Sequence, residues 1–415
     1  MIENNYYRLW VDDYENEMTR FLIRLASIRS YSHNEQEACL FCYDVFSNIR
    51  GLKVTKLFIN NSITLDPLYS GGLIENPDYT GHFNIELIWK GTGEQLPIYL
   101  NAHIDTVPES RSHMLEPAWH EDGKGIAGLG ISDDKSGIAV MFALFNLLSK
   151  NNIQLPFDVI GHIVVEEETG GNGTLAVMRS RELKGQAAIV MDDTYGTVWP
   201  KHGTGFCIKV ATVGTPPVHP SQSGQVKIIS AYDLLLKATE IVKLVHLEYQ
   251  EFNRLNPCKD FEDAKLQPQI RVVRAGDYFG RLPYKAYALV SFPILQNVKS
   301  SDWLVKIKQS IYNDENLRDS TVITPIYDRE GADLPLNHPL ALQISQIAKK
   351  YGLDGDVLAF RAVTDAVFYN NYCGIPTVTF GPGGGGTHGM DEFVDIELLK
   401  AVCCVVLEFI LGKVA

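Results

Sequence analysis

LPIYLNAHID, residues 96–105, decides how the fold is read. Ile98, Tyr99 and Leu100 make an apolar, β-prone run that ends among Asn101, His103 and Asp105. That is the pattern of a buried strand with chemistry at its carboxyl end, where open α/β sheets hold ligands. His103 and Asp105 stand two residues apart, so they share one face of a strand and the carboxylate can orient the imidazole. In isolation such a pair is more often a hydrogen-bonded structural histidine than a ligand.

Outward from this strand, elements alternate. Upstream, residues 14–50 carry helical spacing through FLIRLASI and CLFCYDVFSNI, followed by the strand patterns KVTKLFI and FNIELIW. Downstream come a helix over Gly137 to Lys150, a strand over Asp158 to Val165, a helix near Leu175 to Ser180 and a strand over Ala187 to Met191. Such alternation predicts an α/β domain with a mixed or parallel sheet flanked by helices. The middle differs. GFCIKVATV, SAYDLLLKATEIVKLV, QIRVVRA, KAYALVSF, SDWLVKIKQSI and TVITPIYD form a β-α-β-β-α-β series, the signature of a small ferredoxin-like sandwich. A helix (LALQISQIAKKYG), a strand (TVTFG) and a closing helix (IELLKAVCCVVLEFILG) then resume the first pattern. The expected organisation is a discontinuous domain, 1–203 plus 332–415, with 204–331 inserted as a second domain.

The bulk properties agree with a folded protein of more than one domain. With 415 residues the chain is too long for one compact core, and 45% hydrophobic against 21% charged residues excludes disorder. A net charge of -13 argues against a nucleic-acid partner or an anionic membrane surface. The apolar runs IAVMFALFNLL and AVCCVVLEFILG, about a dozen residues each, fall short of the roughly 20 that a membrane-spanning helix needs. The acidic, polar start, MIENNYYRLWVDDYENEM, reads as neither signal nor transit peptide. Seven irregularly spaced cysteines, an odd number, suit reduced thiols in the cytoplasm, with Cys39 and Cys42 as core residues of a helix.

Four further clusters carry chemistry. Glu166, Glu167 and Glu168 follow the apolar strand VIGHIVV, and adjacent carboxylates repel unless solvent or a cation relieves them. Ser132-Asp133-Asp134-Lys135 leads into a helix, where capping is the ordinary role of such residues. MDDT, 191–194, ends another apolar strand. GPGGGGTHGMDEF, 381–393, places His388 after a glycine-rich loop that lacks the GK[ST] of a phosphate loop.

Taken in order and spacing, NAHIDTVP, GLGISDDKSG, VVEEETGGNGT, MDDT and GPGGGGTHGMDEFV resemble one family, the co-catalytic zinc exopeptidases and deacylases. Its members include carboxypeptidase G, aminoacylase, acetylornithine deacetylase, succinyl-diaminopimelate desuccinylase and peptidase T. The resemblance runs from about Ser27 to the C-terminus and includes the inserted lid. It implies two divalent metal ions, zinc first and cobalt or manganese as alternatives. His103 and Asp192 would hold one, Glu168 and His388 the other, and Asp133 would bridge them. Asp105 would orient His103, Glu167 would be the general base, and Glu166 would have no direct role. His219, in VGTPPVHPSQSG, resembles the lid histidine that reaches a partner subunit's site, though its spacing from Gly214 is one residue longer. The implied assembly is a homodimer through the lid.

Two departures bear on the substrate. The family's third acid is often Glu in carboxypeptidase- and deacylase-like members and Asp in aminopeptidase- and dipeptidase-like ones; here it is Asp192. The strand that often supplies a carboxylate-reading arginine is ALVSFPILQ, without Arg, which leaves Arg274, Arg281 or Arg361 as substitutes. EEETGGNGT, by contrast, most resembles acetylornithine deacetylase-like members. The expectation is a hydrolase cleaving an amide bond in a small peptide or N-acyl amino acid. An aminopeptidase or dipeptidase is the alternative, and a catalytically silent binding homologue the remote one.

Overall fold

The computed structural model describes residues 6–71, 74, 76–109, 116–216, 228–256, 260–261, 268–292 and 299–412. Three helices open the chain: α1 (Tyr6–Asp12), α2 (Glu15–Ala26) and α3 (Gln36–Ser47). Then come β1 (Leu52–Phe58), β2 (Phe83–Trp89), β3 (Gln95–His103), β4 (Ala118–Trp119), β5 (Gly125–Ala127), α4 (Lys135–Lys150) and β6 (Phe157–Val164). α5 (Asn172–Ser180), β7 (Ala187–Val190) and β8 (Val198–His202) follow. The middle of the chain supplies β9 (Gly205–Val213), α6 (Ala231–Leu255), β10 (Gln269–Ala275), β11 (Lys285–Ser291), α7 (Ser300–Tyr312) and β12 (Thr321–Arg329). The chain ends with α8 (Pro339–Lys350), β13 (Val357–Phe360), β14 (Thr377–Thr379), β15 (Gly384–Gly385), β16 (Phe393–Asp395) and α9 (Ile396–Leu411).

Eight strands form one mixed sheet in the order β1-β2-β6-β3-β7-β14-β8-β13. β3 lies between β6 and β7 and runs parallel to both, with His103 opposite Val164 and Asn101 opposite Val190. Parallel neighbours end at the same edge, so the residues after β3, β6 and β7 meet there. Side-chain alternation gives β3 two apolar faces. Ile98, Leu100 and Ala102 pack with α2, α4 and α9, whereas Tyr99 joins Ala188, Val190, Ala366 and Tyr369.

A second, antiparallel sheet has the order β10-β11-β9-β12. It carries α6 and α7 over a separate apolar cluster running from Phe206 to Ile323. A third, small sheet, β15-β16-β5-β4, backs the glycine-rich loop.

Some elements depart from the sequence reading. The helical pattern over residues 14–50 is two helices, because polar residues 29–36 break it and Ser30 instead bonds Ile104 and Thr106 of the main sheet. β8 and β13 lacked a legible pattern, being short, and α6 runs ten residues past its expected end at Val245. Cys39 and Cys42 are buried on α3, as expected of core thiols. None of the described helices is long and apolar enough to cross a membrane.

Candidate di-metal active site

His103, the three glutamates and Asp192 reach the site from the carboxyl edge of the large sheet, and Asp133 and His388 come from loops next to the small third sheet. His103 ends β3, the three glutamates follow β6 and Asp192 follows β7. Asp133 precedes α4, whose N-terminus is capped by Asp134: its Oδ1 accepts from Gly137 N at 3.2 Å and its Oδ2 from His103 N at 3.1 Å. The cap therefore ties the helix start to the strand that carries His103. His388 comes from the glycine-rich loop with φ 60°, in the left-handed region.

The structure brings all five expected metal ligands together. His103, Asp133 and Asp192 form one group and Asp133, Glu168 and His388 a second, the donor atoms of each lying within 4.8 Å of one another. Asp133 belongs to both. Its Oδ1 lies 2.8 Å from His103 Nε2 and its Oδ2 3.0 Å from His388 Nε2, which in turn is 3.0 Å from Glu168 Oε1. Asp105 presents its backbone carbonyl to His103 Nδ1 at 3.0 Å and its carboxylate at 3.3 Å.

The electrostatics are those of crowded acids. Burial, reinforced by Asp133, pushes the Asp192 carboxyl up to about 7. The Glu167 carboxyl is pushed well up by burial and, against the pull of His103, by Asp365, Asp192 and Glu168. Burial also works on Asp133, but hydrogen bonds from His103 and His388 outweigh it and hold that carboxyl below the usual range. Hydrogen bonds to Asp133 and Glu168 push His388 up to about 11. Asp133, Glu168 and Asp192 converge with only two imidazoles to offset them. Oxygen and imidazole donors in two three-point groups with a shared carboxylate suit a pair of divalent cations. Glu167 belongs to neither group, and its backbone N–H bonds to Asp105 Oδ1 at 3.0 Å.

Sequence reading missed several supporting residues. Glu392, buried, accepts from the backbone N–H groups of Gly130, Ser132 and Asp133 at 2.9, 2.9 and 3.2 Å, and so fixes the loop that bears the shared ligand. Glu166 is fully buried and bonded by His33 Nδ1, Tyr79 Oη and Asn172 Nδ2. A carboxylate directly beside a candidate base, in an apolar-strand context, was the available signal. His219 lies outside the described residues. Of the arginines considered for substrate reading, Arg281 is paired with Asp277, and Arg274 and Arg361 are exposed.

Residues 99–412 match the family described as peptidase family M20/M25/M40. A deformylase of N-formyl-4-amino-5-aminomethyl-2-methylpyrimidine from Halalkalibacterium halodurans is 34% identical over 122 residues, a stretch spanning 28% of each chain. The enzyme of the same name from Bacillus subtilis is 23% identical over 367 residues, covering 80% of this chain and 84% of that one. Among solved structures, the di-peptidase Dug1p from Saccharomyces cerevisiae has a TM-score of 0.75 at 13% identity, covering 98% of both chains. A tripeptidase from Staphylococcus aureus has a TM-score of 0.68 at 19% identity, covering 96% of this chain and 98% of that one. These structural likenesses speak to the fold, and the family match, which takes in the strand, the acidic loops and His388, speaks to descent. The chain belongs to peptidase family M20/M25/M40, a family of hydrolases that act on amide bonds.

Proposed function

We propose that the protein is a di-metal hydrolase that cleaves the amide bond of a small N-acyl compound or short peptide. The observation that carries this reading is the pair of three-donor groups sharing Asp133, with the Glu167 carboxylate beside them but in neither. His103 and Asp192 would hold one cation, Glu168 and His388 the other, and Asp133 would serve both. Zinc fits the mixed imidazole and carboxylate donors best, with cobalt or manganese able to replace it. Cations held there would supply a lowered pKa for the attacking water and polarisation of the scissile carbonyl. Glu167 takes the proton from the attacking water and delivers it to the leaving nitrogen. Asp105 keeps His103 oriented and fixes the backbone of Glu167 and Glu168.

Among substrates, the two deformylase relatives favour a small acyl group on an amine. A second reading, an aminopeptidase or dipeptidase, is favoured by Asp192 as the third acid. A silent binding homologue is disfavoured by the complete donor set. The deciding experiment sets N-formyl and N-acetyl compounds beside free-amino di- and tripeptides, with protein purified without chelator. Turnover restricted to N-acylated compounds supports the leading reading. Turnover restricted to free-amino peptides transfers it to the second, and protein free of metal and inert on both sets overturns both.

The proposal extends to assembly and place. The 204–331 segment acts as a lid and dimerises. α6 leaves Leu236, Leu244, Leu247 and Leu255 exposed, and β10, an edge strand, exposes Ile270 and Val273. An exposed apolar helix stripe and an open sheet edge are each surfaces that a second copy can cover. The six described cysteines are free, which suits the cytoplasm.

A further inference from the structure

We propose that Arg329 is a positioning residue that clamps the hinge of the 204–331 segment to the turn bearing Glu167 and Glu168. The inference rests on the hydrolase reading, because it assigns Arg329 a role through those two glutamates. β9 and β12 enter and leave the segment side by side, with Gly205 paired to Arg329 and Phe206 to Asp328. Just beyond, His202 N donates to the carbonyl of Ala332 at 2.9 Å and Lys201 bridges to Asp333. Both crossings between the two sheets thus form one narrow ribbon, and Arg329 sits on it.

Its guanidinium is buried, 1% exposed, and lies 4.6 Å over the ring of Phe368. Among the described residues no carboxylate pairs with it. Instead Nη2 donates to the backbone carbonyls of Leu68 and Gly170, both at 2.7 Å, with Ser70 Oγ at 3.4 Å. Asp66, Asp328 and Asp365 act on this cation only from beyond ion-pair distance, and burying it without a close carboxylate is costly, so the carbonyls it grips need a reason to be gripped.

Gly170 supplies one. Its N–H donates to the carbonyl of Glu167 at 2.8 Å, closing the turn that carries both glutamates. Its φ is +114°, and an added Cβ would lie 2.2 Å from Ser70 Oγ and 2.8 Å from the ring of Tyr327. The turn is therefore wedged between residues 68–70 and the end of β12. Beyond Ser70 the grip continues. Ser70 N donates to Asn172 Oδ1 at 3.0 Å, and Asn172 Nδ2 donates to Glu166 Oε2 at 3.0 Å. Glu166, with φ 56°, is further held by Tyr79 Oη at 2.7 Å and His33 Nδ1 at 2.8 Å. A chain of buried bonds runs from the hinge to the residue before Glu167, so movement of the hinge pulls on the base and on Glu168.

Spatial continuity alone does not prove coupling; a mutant cycle does. The test compares the metal-loaded parent with Arg329→Met, Arg329→Lys, Asn172→Ala and the Arg329→Met/Asn172→Ala double variant. A misplaced base costs up to about 100-fold in rate. We expect kcat of Arg329→Met to fall by about 10- to 100-fold with KM changed less than about 3-fold, partial recovery in Arg329→Lys, and a double variant no worse than the weaker single. A readout without turnover is Co²⁺ titration of metal-free protein, in which Arg329→Met binds the second ion about 10-fold more weakly than the parent. Parent-like kcat and Co²⁺ binding in Arg329→Met, or a loss confined to KM, overturns the clamp. If Arg329→Met does not fold, Asn172→Ala decides: the same loss of kcat supports the clamp and parental values overturn it. A parent that hydrolyses no amide defeats the hydrolase reading, while the Co²⁺ titration still tests the clamp.

Discussion

Asp105 binds the backbone of Glu167: its Oδ1 accepts the Glu167 N–H at 3.0 Å, while Oδ2 accepts the Glu168 N–H at 3.1 Å and the Ser32 hydroxyl at 2.7 Å. The same carboxylate faces His103 Nδ1. One buried side chain therefore sets the imidazole of one three-donor group and the loop that supplies the other. This explains why the motif needs a carboxylate two residues after the histidine.

An Asp105→Asn variant tests that double role. An amide offers one acceptor oxygen where the carboxylate offers two, so at least one backbone N–H of the glutamate loop loses its partner. Leaving a buried donor unpaired costs about 1–3 kcal/mol, and losing an outer partner of a ligating histidine weakens metal affinity about 10- to 100-fold. We expect both a lowered Tm and weaker zinc binding by competition with a chelator. Asp105→Asn with parental zinc affinity would refute the orienting role.

Glu167 and His388 separate chemistry from metal binding. Glu167→Ala is expected to retain two metals per chain by elemental analysis and to lose about 10²- to 10⁴-fold in kcat, the usual worth of a general acid–base group. His388→Ala removes one of the three donors beside Glu168, so it is expected to lose metal as well as rate. Near-parental turnover in Glu167→Ala would disprove the base assignment.

What the sequence could and could not reveal follows from the range of the interactions. His103, Asp133, Glu168, Asp192 and His388 each sit in a short local signature at a strand or helix end, so their neighbourhood in the chain betrays them. Glu392 has no such signature. It serves Asp133 across 259 residues, and only folding brings them together. Arg329 is likewise legible only once β9 and β12 are seen to pair at the hinge. Glu166 belongs to neither donor group, in keeping with the expectation of no direct role, and its burial and three partners make it an anchor. The long strand and helix patterns were legible because burial imposes their period. β8, β13 and the break between α2 and α3 depend on tertiary contacts and were not.

Buried neutral histidines predict an acid-side loss of stability away from the site. Burial pushes His162, His202 and His246 each down to about 4 from an ordinary value near 6.5. The unfolded chain then binds more protons than the folded one between those values. Their contribution is complete above about pH 6.5 and is lost as pH falls toward 4. His246 is the cleanest probe. It packs 4.9 Å from Phe292 and 5.5 Å from Tyr249 by ring centroids, and its Nε2 has no hydrogen-bond partner among the described residues. His246→Phe should therefore show a shallower fall in urea midpoint between pH 6.5 and 4 than the parent, followed by far-UV circular dichroism. An unchanged slope would rule His246 out as a source of the acid sensitivity.

Joined to the resemblance of His219 to a lid histidine that serves a partner's site, the lid proposal makes a sharper demand: His219 of one subunit would serve the site of the other. In a two-fold dimer each site then needs Glu167 from one chain and His219 from its partner. Glu167→Ala and His219→Ala homodimers are each expected to be nearly inactive. Mixed after mild dissociation, they form heterodimers in which one of the two sites regains both groups. Random pairing makes half the dimers mixed, so roughly a quarter of parental activity should return. A Leu244→Glu/Leu247→Glu variant, which puts charge into the exposed stripe of α6, should be monomeric by light scattering and should block that recovery. No regained activity from a mixture shown to contain heterodimers would mean that His219 acts within its own chain, after lid closure, and that dimerisation through α6 has no part in catalysis.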